Sequence, residues 1–572
     1  MIKTILVVGG YGVFGSRICR LLIREKQFSV LVAGRSLAKA RSFCKRYGGT
    51  AIHFEREADL VEQLALLSPD LVIDAAGPFQ DYGRNPYRLA KAALEQGAHY
   101  LDLADSPDFV RGIPLLDDLA RAQNRIALSG ASTAPAITSV LADHLTAGLD
   151  EIALIESAIL PGNKAPRGRS LVETVLKQAG QPLEIWRDNQ LFQAWSWGSL
   201  TRHTLQTDTA SSLKGRWSAL IELPDLRLFP ERYNARAVKT RVGLENPLLH
   251  LGLWLLSLLP RFGLIRNLLP LTNSLMATSR LFKPFGTDRG GMFLTVLGTR
   301  KGRLFKHSWD LIVEKGDGPF VPALPCLILA QKILLSSQSP TGTGPLSPGA
   351  RPCLGAFAME DLEQALATLP ASYQTVRKET PSLYQLVLGD AFNRLPLPVQ
   401  TLHKVQDLAI FHGLASVKSG RNPVAKLIKK IMGFPDDTLE IPLQVTIEKK
   451  GNREIWQRKF GKNSFRSIMS RPSTAKPGEQ IEQFGPLSFL LALPVSEEGI
   501  LDMVVIRAYF LGCPLPRWMT PISDTQEKLD ERGRFHFSVK ISLPLWGHLI
   551  SYRGWLVPGN QPLAQMSKDE IP

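Results

Sequence analysis

The first 148 residues alternate short, mostly apolar runs with longer segments whose apolar residues recur at helical spacing. Such runs are typical of parallel strands buried on both faces, whereas helical spacing gives one apolar face that packs on a sheet. The runs lie at residues 5–8, 28–33, 71–76 and 99–103. This succession predicts an α/β fold class in which residues 1–148 form a doubly wound parallel sheet.

After residue 148 the pattern changes, because strand-like segments are mixed with helical ones. We expect a mixed α+β domain over residues 149–335, of the substrate-binding or dimerisation type that a family resemblance of the chain implies. A stretch rich in Ser, Pro and Gly follows, so residues 336–380 are predicted to be a linker and a helix. Alternating segments separated by glycine turns then predict a strand-rich C-terminal α+β domain over residues 381–560, with a curved or barrel-like antiparallel sheet.

The most apolar stretch of the chain lies at residues 247–275. Its first helix is apolar on all sides, but it rises only about 20 Å and is too short to span a bilayer. Two interpretations stay open: a buried helix pair in the second core, or a hairpin that lies in a membrane surface with Arg261 and Arg266 near the headgroups. The hairpin interpretation expects Leu253, Trp254 and Leu256 to make the membrane contact.

The net charge of the chain and its distribution limit the classes of partner that we expect. A formal net charge of +16 over 572 residues suits an anionic partner. Basic residues are nevertheless spread along the chain and form no recognisable nucleic-acid module, so we do not expect nucleic acid to bind. The expected partner is a small-molecule substrate, with peripheral membrane contact through residues 247–271 and a homodimer as further candidates.

Five widely separated cysteines without C-x-x-C spacing argue for a reducing compartment and against a disulfide framework or a zinc site. No metal site is therefore predicted. Structural or surface roles are expected for four C-terminal histidines that lack acidic or Cys partners at metal-ligand spacing: His403, His412, His536 and His548. The chain begins directly with a core strand, which a cleaved signal peptide would remove. We expect a cytoplasmic protein, associated with membrane if the hairpin interpretation holds.

The first apolar run ends in a G-x-G-x-x-G motif, formed by Gly10, Gly12 and Gly15, and a helical segment follows. Strand, tight turn and helix in this order form the dinucleotide-binding motif of a Rossmann domain. We predict that Gly10 permits the turn, Gly12 lets the backbone approach a pyrophosphate and Gly15 lets the helix pack closely. Val13 and Phe14 lie at the helix N-terminus, where unpaired amides favour an anion.

The end of the second strand predicts which dinucleotide binds. An NAD-binding chain usually carries Asp or Glu there, about twenty residues past the glycines, to bind the ribose 2′-hydroxyl. This chain carries Arg35 and Ser36. Because a guanidinium and a hydroxyl can both bind a 2′-phosphate, the predicted cofactor is NADP.

The loop after the strand at 71–76 has the position of a nicotinamide site, at the carboxyl end of a parallel strand beside the glycine motif. Its predicted cofactor-binding residues are Ala75, Ala76, Gly77 and Pro78. A hydride-transfer enzyme also needs a proton donor near the nicotinamide. Weak candidates for this catalytic role, all near strand ends or loops, are Tyr82, Tyr100, Asp102 and Asp105.

Several motifs resemble one family of oxidoreductases. The segments GGYGVFG, AGRS, DAAGPF, GAHYLDL and SGASTAPAITSVLADHL occur in the order and approximate spacing of the saccharopine dehydrogenase-like oxidoreductases. The resemblance implies an N-terminal domain that binds NADP(H), with weaker similarity continuing to about residue 365. It implies an NADP(H)-dependent oxidoreductase, and the long apolar middle region favours a small apolar or lipid-like substrate over an amino acid conjugate.

The C-terminal region carries a second resemblance. The segments LPLPVQTLH, EIWQRKF, EQFGPLSF, CPLPRWMTP and SYRGWL resemble a domain of unknown function that accompanies saccharopine dehydrogenase-like domains in bacteria. This resemblance implies no chemistry. An alternative hypothesis therefore stays open: the chain is a non-catalytic NADP-binding sensor or scaffold, and its C-terminal β domain binds a lipid or a protein partner.

Overall fold

A computed structural model describes residues 2–209, 211–335 and 346–559 of the chain. The chain divides into two compact units. Unit one comprises Met1–Trp186, Gln190–Val296 and Lys306–Arg377, and unit two comprises Arg187–Asn189, Leu297–Phe305 and Lys378–Pro572.

Unit one begins with alternating strands and helices. In chain order these are β1 (Lys3–Val8), α1 (Gly15–Arg24), β2 (Phe28–Gly34), α2 (Leu37–Tyr47), β3 (Thr50–His53), α3 (Leu60–Leu67), β4 (Leu71–Asp74), α4 (Arg88–Glu95), β5 (His99–Asp102), α5 (Pro107–Gly112), α6 (Asp117–Ala122), β6 (Ile126–Ser129) and α7 (Thr138–Thr146).

The following part of the chain mixes strands and helices. Its elements are β7 (Glu151–Leu160), α8 (Arg169–Gln178), β8 (Pro182–Arg187), β9 (Gln190–Trp195), β10 (Thr201–Gln206), β11 (Ser212–Leu220), α9 (Asp225–Tyr233), β12 (Val238–Val242), α10 (Pro247–Arg261), α11 (Thr272–Leu281), β13 (Gly290–Arg300), β14 (Arg303–Val313), α12 (Leu324–Leu334), β15 (Gly349–Pro352), α13 (Met359–Leu366) and β16 (Ala371–Glu379).

The first sheet of unit one has seven strands in the order β15-β6-β5-β4-β1-β2-β3. Each neighbouring pair is parallel. Apart from β15, this is the strand order of the doubly wound dinucleotide-binding fold, so the predicted Rossmann domain is confirmed. The central strand is buried on both faces: Ile5, Leu6 and Val7 are 0% exposed. The apolar run of β1 therefore explains why this strand lies in the centre of the sheet, where both of its faces are covered.

Part of the predicted linker and helix over residues 336–380 has a different structure. Residues 336–345 lie outside the described part of the chain. Residues 349–352 form β15, which adds to the first sheet beside β6, and Ala350 is buried there. The predicted helix is present as α13, and residues 371–379 form the strand β16. The composition of the segment Gly349–Pro352 is that of a turn, and only the pairing with β6 makes it a strand.

The second sheet confirms a mixed middle region, with the strand order β10-β11-β12-β7-β13-β14-β16. Strands β10, β11 and β12 are joined in antiparallel pairs, whereas β12 and β7 are parallel.

The apolar segment at 247–275 does not form a buried helix pair. In α10 only His250 and Ser257 are buried, while Leu248 is 70% exposed and Leu255 is 61% exposed. The side chains expected to contact a membrane, those of Leu253, Trp254 and Leu256, instead pack against a buried cluster of the middle region. Within the described residues, no helix combines the length and the apolar character that a membrane span requires.

Unit two is mainly antiparallel. Its elements are α14 (Leu383–Leu388), α15 (Leu397–His403), β17 (Leu408–Ser419), α16 (Pro423–Met432), β18 (Thr438–Lys450), β19 (Arg453–Phe460), β20 (Asn463–Ser470), β21 (Glu479–Phe484), β22 (Leu487–Ala492), β23 (Leu501–Asp502), β24 (Val504–Phe510), β25 (Cys513–Pro514), β26 (Ile522–Leu529), β27 (Phe535–Leu543) and β28 (Gly547–Pro558).

The sheet of unit two closes on itself. Strand β23 pairs with β26 and strand β24 pairs with β22. Between these short strands the amide of Met503 donates to the carbonyl of Thr525 at 2.9 Å. One nearly continuous strand, residues 501–510, therefore joins the two ends of the sheet, and the barrel-like prediction is confirmed.

Candidate functional site

The turn after β1 is built from closely packed backbone. Gly9 has a φ of +78°, and the amide of Gly12 donates to its carbonyl at 2.8 Å. A Cβ atom on Gly15 would overlap that same carbonyl oxygen, and one on Gly10 would lie 2.9 Å from the carbonyl oxygen of Val7. The positive φ of the turn is therefore at Gly9, which sequence reasoning missed. Position 10 needs a glycine for another reason, because a side chain there would clash with its neighbours.

The start of α1 offers free donors beside this turn. The amides of Val13 and Phe14 donate to no acceptor among the described residues, and no side chain caps the helix. Unpaired amides at a helix N-terminus form a site for an anion. The glycine turn leaves room for a close backbone approach because Gly12 carries no side chain, whereas Gly15 lets α1 pack against the turn. The chain thus fits the diphosphate of a dinucleotide at this position.

The end of β2 lies next to this turn. Arg35 is exposed, and the hydroxyl of Ser36 caps α2 by accepting from the amide of Lys39 at 3.4 Å. The amide of Ser36 donates to the hydroxyl of Tyr11 at 2.9 Å, and a Cβ on Gly34 would lie 2.6 Å from that hydroxyl oxygen. Tyr11 therefore lies between the glycine turn and the end of β2. Sequence reasoning missed it, because its position within the motif gave no signal.

The loop after β4 packs directly on the glycine turn. A Cβ on Gly9 would lie 2.8 Å from the carbonyl oxygen of Ala75. Of the four predicted loop residues, Ala75, Gly77 and Pro78 border a large cavity. Ala76 is absent from its wall and donates its amide to the Asp74 carboxylate at 3.0 Å. The loop predicted to hold the nicotinamide thus borders the cavity with three of its four residues.

This cavity, the unit-one cavity, has a volume of about 910 Å³. One part of its wall is the loop after β4, residues 75–78, which we call the cofactor loop. Phe14 and Phe79 lie beside it. The rest of the wall is mostly apolar and comes from strands, loops and the helices α8, α10 and α11; the helices contribute Leu176, Leu249, Leu253, Leu256, Leu275 and Met276. A volume in this range accommodates a drug-sized organic molecule, and the apolar wall favours an apolar one.

Of the four candidate proton donors, Asp105 alone borders the unit-one cavity. The side-chain amide of Gln80 donates to its Oδ1 at 3.0 Å, which ties it to the loop that ends at Phe79. Burial raises the pKa of Asp105 above its ordinary value. The carboxyl group therefore keeps its proton at a higher pH than an exposed aspartate does.

The other three candidates are enclosed by the protein. Tyr82 donates its hydroxyl to Asp74 at 3.0 Å, and burial raises the pKa of its phenol. Tyr100 is a residue of β5, and its side chain is buried in the hydrophobic core. Asp102 accepts from the Gly130 amide and the Ser129 hydroxyl, both at 2.9 Å, and burial raises its pKa to about 7. These contacts join the ends of β5 and β6, so Asp102 is placed to hold the sheet together.

Arg167 is a further residue of the cavity wall that sequence reasoning missed. Its guanidinium donates to the side-chain oxygen of Asn163 at 2.7 Å and to the hydroxyl of Ser279. No carboxylate of the described residues forms an ion pair with it, because the nearby Glu245 is bound by Arg216 at 2.9 Å. Burial lowers the pKa of the Arg167 guanidinium, and the negative charge of the nearby Glu245 opposes this shift. An arginine has no periodic pattern by which sequence could have revealed it.

A second cavity, the barrel cavity, lies inside the sheet of unit two and has a volume of about 130 Å³. Arg458 lies on its wall, 3.4 Å from the carboxylate of Glu482. Glu527, also on the wall, is 2.6 Å from Nε2 of His403, which is fully buried. The imidazole of His403 also stacks on the ring of Tyr384 at 3.6 Å. The expected structural role of His403 agrees with this enclosed position.

Comparisons with known families agree with both resemblances. Residues 5–130 match the saccharopine dehydrogenase NADP binding domain, and residues 395–556 match Domain of unknown function (DUF4166). The chain therefore carries a saccharopine dehydrogenase-like NADP-binding domain at its N-terminal end. No protein of curated function matches the chain significantly.

Solved structures with related folds include three reductases or dehydrogenases. Apo saccharopine dehydrogenase (L-Glu forming) from Saccharomyces cerevisiae is 14% identical over 65% of this chain and 100% of that chain, with a TM-score of 0.44. Biliverdin reductase from Synechocystis sp. PCC 6803, in complex with biliverdin and NADP+, is 12% identical over 64% and 96%, with a TM-score of 0.29. A 3-ketoreductase from Actinomadura kijaniata in complex with NADP is 12% identical over 64% and 95%, with a TM-score of 0.28.

Proposed function

We propose that the chain is an NADP(H)-dependent oxidoreductase whose substrate is a small apolar or lipid-like molecule bound in the unit-one cavity. One observation carries this proposal. The cavity of about 910 Å³ is bordered on one side by the cofactor loop, and most of the remaining wall, from helices, strands and loops of unit one, is apolar. A molecule that fills it would therefore lie against the place where the dinucleotide-binding fold holds its nicotinamide.

The cofactor would be held by residues at the carboxyl ends of β1, β2 and β4. The amides of Val13 and Phe14 bind the diphosphate, Gly12 lets it approach, and Gly15 lets α1 pack closely on the turn. The guanidinium of Arg35, with the Ser36 hydroxyl, binds the 2′-phosphate. NADPH supplies a hydride when it is bound, and NADP+ accepts one.

The proton that accompanies the hydride comes from Asp105 in this proposal. In the reduction of a C=O, C=N or activated C=C bond, one atom gains the hydride and its partner gains negative charge. Asp105 lies on the cavity wall, is held by Gln80 and has a pKa that burial raises. It can therefore give its proton to the atom that becomes negative and recover one from solvent.

Arg167 indicates one further property of the substrate. Its guanidinium borders an otherwise mostly apolar cavity and has only neutral oxygens as partners among the described residues. A partly buried guanidinium in an apolar wall is stabilised more by an anionic ligand than by water molecules in the cavity. We therefore propose that the substrate is apolar over most of its length and carries one acidic group.

Turnover and bound ligands test this proposal together. The purified protein is incubated with NADPH and a panel of aliphatic carbonyl, imine and enoyl acids, and extracts are analysed by mass spectrometry for co-purified small molecules. We expect NADPH oxidation above background for at least one panel member, and loss of it in Leu253→Arg, which fills the cavity. Leu66→Arg, at an exposed leucine of α3, is the matched control and should retain activity.

The sensor hypothesis predicts the opposite result. NADP would co-purify and stay bound, and no panel member would cause its oxidation or reduction. Such a result, with cofactor binding intact, would overturn the enzyme proposal in favour of the non-catalytic alternative.

A further inference from the structure

The helical segment that borders the unit-one cavity, residues 246–285, exposes an unusual amount of apolar surface. Leu248, Leu255, Phe262, Leu264, Leu281 and Phe285 are each between 61% and 72% exposed. Leu248 and Leu255 are seven residues apart in α10 and therefore share one face of that helix. The opposite face carries the side chains that pack on the protein. Surface apolar residues are common singly, but a set within one segment marks an interaction surface.

The charge of this segment is one-sided. Between Glu245 and Asp288 the sequence contains no Asp or Glu, whereas it contains Arg261, Arg266, Arg280 and Lys283. All four cations are exposed, and none forms an ion pair with any of the described residues. An apolar surface flanked by unpaired cations is complementary to an anionic lipid surface, which offers hydrocarbon and negative headgroups together.

The unit-one cavity opens at this surface. Leu248, Arg280, Lys283 and Asp288 border the cavity and are also exposed, so its opening carries two cations and one carboxylate. Deeper in the same segment, Leu253 and Leu256 form part of the cavity wall. An apolar molecule that leaves a bilayer at this point would meet apolar side chains along its path into the cavity.

We propose that the segment 246–285 docks the protein on an anionic lipid membrane, with Leu255, Phe262 and Leu264 in the interface and the cavity opening facing the lipid. The docking depends on the exposed surface alone. The additional step, entry of the substrate from the membrane, rests on the proposed function. The docking residues differ from Leu253, Trp254 and Leu256, which sequence reasoning expected to make this contact.

Co-sedimentation with lipid vesicles tests the docking without cofactor or substrate. The full chain is mixed with vesicles of phosphatidylcholine alone or with about one third phosphatidylglycerol. We expect the protein to sediment with the anionic vesicles, and the variant Leu255→Glu/Phe262→Glu/Leu264→Glu to bind at least about tenfold more weakly, because it removes apolar contact and adds negative charge. The matched control Leu66→Glu/Leu115→Glu changes leucines that are 80% and 81% exposed elsewhere, and it should bind like the wild type.

The cations are tested separately. Arg261→Gln/Arg266→Gln should weaken binding to anionic vesicles by roughly tenfold or more at low salt and should have no effect on retention of NADP. Equal binding of the wild type to neutral vesicles would overturn the role given to the cations. Failure of the wild type to sediment with anionic vesicles would overturn the docking proposal as a whole.

A second copy of this chain is the competing occupant of the surface. If the triple variant changed a dimer into a monomer by light scattering, while the wild type ignored vesicles, the surface would be a homodimer interface and our proposal would be wrong. Circular dichroism and NADP retention of each variant show that it is folded. Vesicle binding needs no turnover, so the two proposals are tested independently. The docking proposal can hold when the oxidoreductase proposal fails, and the oxidoreductase proposal can hold when docking fails.

Discussion

The two units each enclose a cavity, and the cavities differ in size and in the way their charged side chains are paired. The unit-one cavity, of about 910 Å³, has Arg167, Asp105 and Glu222 on its wall; Glu222 is paired with Arg227, whereas the described residues form no ion pair with Arg167 or Asp105. The barrel cavity, of about 130 Å³, has charged side chains that face each other at short distance. The first cavity therefore has polar groups available to a ligand, whereas the second uses its polar groups within the protein.

The difference follows from the cost of burying charge. A buried ion needs a partner, and the pairing of two buried ions returns most of the solvation that each has lost. In the barrel, the Glu527 carboxylate lies 2.6 Å from Nε2 of His403, and Glu482 is paired with Arg458. In unit one, Arg167 and Asp105 form no ion pair with the described residues. An active or binding site can contain such groups when a ligand provides the missing partner.

The largest expected effect concerns the barrel. His403→Ala removes the partner of Glu527, which is 6% exposed, and leaves a buried carboxylate without compensation. We expect this change to lower the free energy of unfolding of unit two by about 3–5 kcal/mol. Denaturant titration followed by circular dichroism and Trp fluorescence measures it.

The double variant His403→Leu/Glu527→Leu is the matched control. It removes the carboxylate and the imidazole together, so most of the lost stability should return. If His403→Ala cost less than about 1 kcal/mol, the pair would not support the fold, and the polar groups of the barrel would be free to bind a ligand. The contrast between the two cavities would then be lost.

The next effect concerns catalysis in the unit-one cavity. Asp105→Asn keeps the shape of the side chain and its contact with Gln80 but removes the acidic proton. We expect kcat of substrate reduction to fall about 10²-fold or more, with little change in the affinity for NADPH. Asp108→Asn, at an exposed aspartate three residues away, should leave kcat unchanged. Stopped-flow measurement of NADPH absorbance provides both values.

The pH dependence gives this prediction a second measurement. Since burial raises the pKa of Asp105, its protonated, active form persists above the pH at which an exposed aspartate ionises. Reduction should therefore be constant at low pH and decline as the pH rises through this raised pKa. An identical decline in Asp105→Asn would assign the titration to another group and remove Asp105 from catalysis.

A smaller effect concerns the cofactor. Arg35→Asp replaces the cation proposed to bind the 2′-phosphate with an anion. We expect NADP binding to weaken by roughly 1–3 kcal/mol, with much less change for NAD, because only NADP has the 2′-phosphate. Calorimetric titration with each cofactor measures the two affinities. Equal losses for both would exclude the proposed contact.

Local sequence patterns predicted much of this architecture because they reflect local physics. The apolar run at Ile5–Val8 and the spacing of Gly10, Gly12 and Gly15 are sufficient for strand, turn and helix. Where several local signals compete, the prediction was less complete. Strand β17 (Leu408–Ser419) was missed because its apolar run can equally well form a helix, and only its pairing with β18 and β28 makes it a strand.

The candidate site was predictable where it follows the nucleotide fold and not where it depends on tertiary packing. Four proton donors fitted the sequence equally well, and Asp105 is distinguished only by its place on the cavity wall. Gln80 and Arg167 belong to loops whose sequence has no motif. The orientation of α10 was also undetermined, since a helix that is apolar on all sides has no pattern to show which side faces the protein.

The smallest expected effect tests whether the free charge of the unit-one cavity selects an acidic ligand. We use decanoate and decanol, which share one alkyl chain and differ in the polar group, and measure each affinity by calorimetry. The wild type should bind decanoate about tenfold more tightly, a difference of about 1.4 kcal/mol, because Arg167 can form a charge-assisted hydrogen bond with the carboxylate.

The variant Arg167→Met keeps the length of the side chain and removes its charge, so the preference for decanoate should disappear while decanol binding stays the same. The control Arg169→Met removes an exposed arginine two residues away that is already paired with Glu173 at 2.7 Å. It should keep the preference. If Arg169→Met lost the preference as well, the selection would come from the general positive potential of the protein rather than from the cavity wall, and the two cavities would differ in size alone.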